Sequence, residues 1–498
     1  MPPPIFEIDE LLRLVINELV ETSPRSAVAF ALTCRSLEEP TLSSLWKRQR
    51  SLLQLVKVLP QHTWIEGRGY PRSIVSDRNP PPGHILYQFP QAIEHDPTPN
   101  DWDRLQRYAS WMRELSFRWE DGITDDTLSR LSCHSPDGVL CPKLEQLDWE
   151  FDLSRAPLSF FPLFFSSNLK RVTLRTRSPR FEVPPEALVS LAEVVSCLPS
   201  SLEHMSIMCG PAPRALEDTM SSFVCGCGSS LSSFGSSVPL SEAAFHHLMR
   251  LPNLRSWVAV HEPPRTLPPV AFPSLEELHL GGAALPWIHL LAARGEGEFR
   301  NGLAPAPAAI TDTNINGTLR VLHCPRNTPV DMMLLSSISS FRNLVVLYVA
   351  NDCCNDRGSC GFRLTDGDVE DLAVALPSLA FLGLGGACSY NSCQTTVSSL
   401  LSISIHCLEL RFLEIHFNTR TIVSDIQRLL DGGSGRGKLR CELRVLIVGR
   451  LPLGVRGDED IEAIAMGFAD IFPDLKVLPA HCLNFGSWDG VAYKLRCS

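Results

Sequence analysis

The chain has 498 residues, 44% hydrophobic and 20% charged, and its 45 basic against 55 acidic side chains leave a formal net charge of −10. That balance argues against nucleic-acid binding, where Lys and Arg must neutralise phosphates, and no stretch reaches the roughly 18 consecutive apolar residues of a membrane helix. The start Met1-Pro2-Pro3-Pro4 lacks the basic region and apolar core of a secretion signal, and the 17 cysteines are odd in number and irregularly spaced, which points to a reduced protein of the cytoplasm or nucleus.

Residues 1–60 read as a small helical module. Leu11, Leu12, Val15, Ile16, Leu19 and Val20 form a broad apolar face on a helix starting near Asp9. Ser23 before Pro24 reads as an N-cap followed by proline at the first helical position, opening a second helix through Val28, Ala29, Leu32 and Cys34. A third helical stretch is expected after Pro40, through Leu42, Leu45 and Trp46 to Leu59. So small a module buries too little surface alone, and its excess apolar face implies a partner. Residues 61–104 hold seven prolines, including Pro80-Pro81-Pro82, and read as a linker. It ends in a helix start at Asn100-Asp101-Trp102-Asp103, leading through Leu105 to a first strand at Met112, whose open edge this helix is expected to cover.

Leucine fills 71 positions, which asks for a leucine-based repeat. A strand-like LxxLxL phrase, often preceded by proline, recurs from residue 105 to the end, as in Pro273-Ser274-Leu275-Glu276-Glu277-Leu278-His279-Leu280 and Pro377-Ser378-Leu379-Ala380-Phe381-Leu382-Gly383-Leu384. Phrases start at Met112, Leu144, Leu169, Leu202, Leu231, Leu254, Leu275, Leu319, Leu344, Leu379, Leu410, Leu443 and Leu475, a mean period of about 30 residues. Between them the pattern turns helical: Val369, Leu372, Ala373 and Leu376 recur at i, i+3, i+4 and i+7. Thr124, Ser241 and Asp460 open further helices with capping residues and early acids. Each repeat is therefore a short strand plus a helix, and the fold class is α/β: a small N-terminal helical module followed by a curved solenoid, parallel strands on the concave face and helices outside. Residues 295–318 and 431–438 read as loops inserted between repeats.

Little in the chain suggests catalysis, and no cofactor or metal is expected. Gly432 to Lys438 fits G-x-x-x-x-G-K, but Leu439 stands where a phosphate loop needs Ser or Thr. Cys225-Gly226-Cys227, Cys353, Cys354, Cys360, Cys388 and Cys393 lack zinc spacing. His246-His247 falls in an ordinary repeat helix, and Arg456-Gly457-Asp458 reads as a loop. Function then lies on surfaces. In LxxLxL, alternation turns the leucines inward and leaves the third, fifth and seventh positions on the sheet face. Arg171, Thr173 and Arg175, with Arg177 just beyond, would suit a phosphate or an acidic peptide; the favoured reading is a solvated basic strand balanced by Asp148 and Glu150. Farther on, Val346, Tyr348, Phe381, Phe412, Val445 and Ile447 would form an apolar strip suited to a protein target.

The repeats resemble leucine-rich repeats of the F-box class. Ile5-Phe6-Glu7-Ile8-Asp9-Glu10-Leu11-Leu12, then Ala29-Phe30-Ala31-Leu32-Thr33-Cys34-Arg35-Ser36-Leu37 and Leu45-Trp46-Lys47 resemble an F-box, particularly the fungal form followed by leucine-rich repeats. One departure stands out: Asp9 occupies a position where that family usually has proline. The resemblance implies a module that docks on the Skp adaptor of a cullin-RING ubiquitin ligase, with Ile8, Leu11, Leu12, Ile16, Leu32, Cys34, Arg35 and Trp46 as contact or supporting residues. It implies a non-enzymatic substrate receptor whose solenoid binds a target protein. Two alternatives stay open: the helices merely cap the solenoid, or the chain is a leucine-rich scaffold whose degenerate F-box binds no ligase.

Overall fold

The computed structural model describes residues 9–69, 87–93, 95–118, 123–151, 158–176, 185–209, 214–262, 271–281, 284–295, 315–325, 328, 330–349, 362–385, 394–418, 421–431, 441–448, 457–475 and 491. The chain divides into two compact units, Met1–His247 and Leu248–Ser498.

The first unit opens with α1 (Asp9–Thr22), α2 (Pro24–Ala31) and α3 (Arg35–Lys47). Leu12, Ile16 and Leu37 form their core, with Val20, Phe30 and Cys34 packed against it. The third helix starts at Arg35, before the expected start after Pro40, and takes Pro40 into its interior. It also stops sooner: the stretch expected to run to Leu59 turns extended at β1 (Arg48–Gln49) and resumes as the short α4 (Leu53–Val56). The expected linker contains β2 (Trp64–Gly69) and β3 (Tyr87–Ile93), paired antiparallel. Then comes α5 (Pro99–Ala109), where Thr98 and Asp101 form a reciprocal capping box.

From there strand and crossover alternate: β4 (Glu114–Phe117), α6 (Asp125–Cys133), β5 (Gln146–Phe151), β6 (Arg171–Thr176), α7 (Pro185–Ser196), β7 (His204–Met208), α8 (Arg214–Gly226), β8 (Ser233–Ser236) and α9 (Glu242–Met249). A 3-10 segment, Leu158–Phe164, takes the helix's place between β5 and β6. There Phe161 and Phe164 pack on Trp149 at 4.9 and 5.3 Å between ring centroids. The strands run in the order β1, β4, β5, β6, β7, β8, all parallel. The sheet edge expected to lie under α5 is thus extended by β1, with Arg48 in register with Glu114.

The second unit repeats the pattern with β9 (Ser256–Ala259), β10 (Glu277–Leu280), α10 (Ala284–Gly295), α11 (Ile315–Thr318), β11 (Val321–Cys324), α12 (Met332–Ile338), β12 (Val346–Val349), α13 (Asp366–Ala375), β13 (Phe381–Leu384), α14 (Val397–His406), β14 (Phe412–Ile415), α15 (Ile422–Asp431), β15 (Val445–Val448) and α16 (Asp458–Ile471). Its strands are also parallel and in sequence order. A parallel strand can be reached only by a crossover, which is why helices separate most strands.

Every phrase start from Met112 to Leu443 leads into a strand, and the leucine-type positions among the residues of described burial are buried, among them Leu144, Leu147 and Trp149, or Leu379, Leu382 and Leu384. The phrase at Leu475 continues into residues outside the described set, as do most of the expected inserted loops and the G-x-x-x-x-G-K segment. The helix starts read from Thr124 and Ser241 are capped as expected, each hydroxyl accepting from the backbone N–H three residues on; the one read from Asp460 is not, because α16 already begins at Asp458 with Gly457 at its N-cap. Among the described residues, no helix is long and apolar enough to cross a membrane.

Candidate protein-interaction surfaces

The N-terminal module sorts the residues implied by the F-box resemblance into two kinds. Leu12 and Ile16, 6% and 1% exposed, lie in the three-helix core and support the module from inside. Cys34 packs against that core, and Trp46 turns toward α5, its ring 4.7 Å from that of Tyr108. Leu11, Leu32 and Arg35 are exposed, and Ile8 lies outside the described residues. Leu14, Val15 and Val28, which the resemblance does not name, are exposed as well. Arg48 ties the module to the repeats through ion pairs to Glu114 at 3.0 Å and to Glu21 at 3.8 Å.

In the first unit, β6 alternates as expected: Arg171 and Arg175 are exposed, Val172 and Leu174 buried, Thr173 between. Arg177 lies outside the described residues. Arg171 has Gln146 and His204 as register partners, and Arg175 has Glu150 and Met208. Burial holds His204 below its ordinary pKa, and the charges of Arg171 and Arg175 push the same way. This face is polar, with Ser116, Asp148, Thr173 and Ser206 in one row.

The second unit's strand face differs. Val321, Val346, Phe381, Phe412 and Val445 share one register row, and His323, Tyr348, Gly383, Glu414 and Ile447 the next. The side chains form an aromatic ladder across consecutive strands. His279 stacks on His323 at 4.5 Å, His323 meets Tyr348 at 5.8 Å, Tyr348 meets Phe381 edge-on at 6.1 Å, and Phe381 stacks on Phe412 at 4.1 Å. Burial lowers the pKa of both histidines, and His279 lowers that of His323 further. Val346, Tyr348, Phe381, Phe412, Val445 and Ile447, the strip expected from alternation, are all half-buried on this face. The histidine pair is not among the expected surface residues, although the same alternation applied to Glu277-Leu278-His279 and Val321-Leu322-His323 places both outward.

A further row lies just before the strands. Arg113 pairs with Glu145 at 3.5 Å and Lys170 with Glu203 at 3.4 Å in the first unit, and Arg255 pairs with Glu276 at 3.7 Å in the second. These exposed pairs contribute little each. Among the described residues, no group of His, Cys, Asp and Glu is arranged to hold a metal, and His247 donates from Nε2 to the Cys227 carbonyl, 3.1 Å away. What these surfaces offer is shape, apolar area and charge for another macromolecule. No family model matches the chain, and no curated protein matches it either.

Proposed function

We propose that this protein is a substrate receptor of an SCF-type cullin-RING ubiquitin ligase. In this reading α1 to α3 dock on a Skp-type adaptor and through it on the cullin scaffold, while the repeats hold the target. The chain would perform no chemistry itself; holding the target near a charged ubiquitin-conjugating enzyme makes the transfer effectively intramolecular.

The observation that carries the reading is the exposed apolar surface of the module. Leu32 is 80% and Leu14 65% exposed, with Leu11, Val15 and Val28 also open. Large apolar side chains left in water on so small a module suit a partner surface. Pairing of β1 with β4 favours a second reading, a repeat scaffold in which the helices serve only to close the sheet.

Co-expression with a Skp adaptor separates the two. The expected result is co-purification with the parent chain and its loss in Leu14→Arg/Leu32→Arg, whose sites are exposed, with circular dichroism unchanged. A well-folded parent that does not retain the adaptor overturns the ligase reading and leaves the scaffold.

A further inference from the structure

Resting on the reading of the repeats as the target-holding part, the geometry points to the kind of target segment the second unit's strand face takes: an extended stretch whose apolar, preferably aromatic, centre is flanked on both sides by carboxylates.

The orientation of the rings decides the first half. Phe381 and Phe412 lie on adjacent strands with planes only 4° apart, so their faces turn toward neighbouring strands and their edges toward solvent. His279 and His323 are stacked likewise, 17° from parallel. A ring's face carries the negative part of its quadrupole and its edge the positive part. A cation therefore finds the faces of the Phe381 and Phe412 pair covered, whereas another ring's face or an oxygen meets favourable edges.

Charge decides the second half. The main chain sets Arg320, Val345, Ala380, Arg411 and Arg444 in one line, through Val345 N–H to Arg320 C=O, Ala380 to Val345 and Arg411 to Ala380, each 2.8 Å, and Arg444 to Arg411 at 3.0 Å. The three arginines are exposed and the two apolar residues between them half-buried. Arg320 and Arg411 stand three strands apart, about 14 Å, which about four extended residues span. Arg411 also meets Glu442 at 3.5 Å, but both are more than half exposed, so a ligand carboxylate can replace that partner. Glu277 and Glu414 lie on the strand rows themselves and repel acids there, which restricts the target's carboxylates to the arginine line.

The test measures binding of fluorescent peptides to the full chain: one with a Leu-Phe-Leu centre between aspartates, one with the same centre between lysines, and one with a Gly-Ser centre between aspartates. The first is expected to bind at least ~tenfold more tightly than the others, to weaken with salt, and to lose ~tenfold or more in Arg320→Glu/Arg444→Glu, where the lysine-flanked peptide gains. Equal binding of the aspartate- and lysine-flanked peptides, or no binding of any, overturns the inference. Adaptor co-purification on the same preparation keeps the two readings apart. Adaptor held without the acidic peptide overturns this inference alone, and peptide held without adaptor overturns the ligase reading alone.

Discussion

Tyr348 fills the space that a side chain at Gly383 would need: a Cβ there would overlap Tyr348 Cδ2 and lie 2.7 Å from Cε2. The ring leans from β12 across the neighbouring strand, which is how it comes within reach of Phe381. Gly383→Ala is expected to displace the ring and destabilise the chain by about 1–3 kcal/mol. The companion variant Tyr348→Ala frees that space, so the double variant should lose less than the two single losses combined. Denaturant titration of the four proteins reads the coupling, and strict additivity would mean that the ring moves aside without cost.

His416 makes stability depend on acid. It is buried near Phe362, and burial pushes its pKa from 6.5 down to about 4. The unfolded chain takes up this proton as pH falls below 6.5, while the folded chain resists until about 4. Its contribution is therefore complete above pH 6.5 and lost between there and 4, up to roughly 3 kcal/mol. Urea midpoints at neutral pH and at pH about 5 should differ less in His416→Gln than in the parent; an identical pH slope would rule out this residue as the source.

Asp366 joins two consecutive repeats. Its carboxylate accepts from the Thr396 N–H at 2.6 Å, from the Thr396 hydroxyl at 2.7 Å and from the Ser399 hydroxyl. Ser399 is fully buried. Asp366→Ala leaves those donors without an acceptor, at an expected cost of about 1–3 kcal/mol. Asp366→Asn keeps part of the acceptor set and should lie between. A thermal shift equal for both variants would show that the acceptor oxygen kept by Asn contributes nothing and would overturn the bridge as the source of the loss.

The cysteines should separate by reactivity. Cys407 points its thiol at the carbonyls of Ala373 and Leu376, 3.7 and 3.6 Å away, and Cys441 does the same at those of Cys407 and Leu410. Burial pushes their pKa values up to about 12 and about 11. Cys34, at the start of α3, is instead lowered by the Ser36 hydroxyl 3.0 Å away. Timed alkylation of the native chain, read by mass spectrometry, should label Cys34 early and leave Cys407 and Cys441 unlabelled until denaturant is added. Early labelling of Cys407 would show that α13 and α14 part readily.

The repeats are legible in the sequence because their signal is redundant: each of many phrases carries the same buried triad, as at Leu344, Leu347 and Val349, so a misread register in one is corrected by its neighbours. The outward rows follow from alternation alone. Less legible is anything set by a single local choice. Nothing in Arg48-Gln49 distinguishes an edge strand from one more helical turn, because its pairing with Glu114-Leu115 is a long-range contact. Pro40 suggests a helix boundary by the usual rule, yet the α3 helix holds it. In the N-terminal module, apolar spacing marks Leu11, Leu12, Val15 and Ile16 alike, and only the packing of α1 on α3 turns Leu12 and Ile16 inward while Leu11 and Val15 stay in water.

The pairing of Arg48-Gln49 with β4 also governs what happens to a shortened chain. Without residues 9–49, β4 would present its unpaired N–H and C=O groups to solvent, a template on which a second molecule can add a strand. A fragment trimmed to the repeats alone is thus expected to self-associate, with the helical module acting in the intact protein as a guard against aggregation. Light scattering of such a fragment beside the full chain would reveal it.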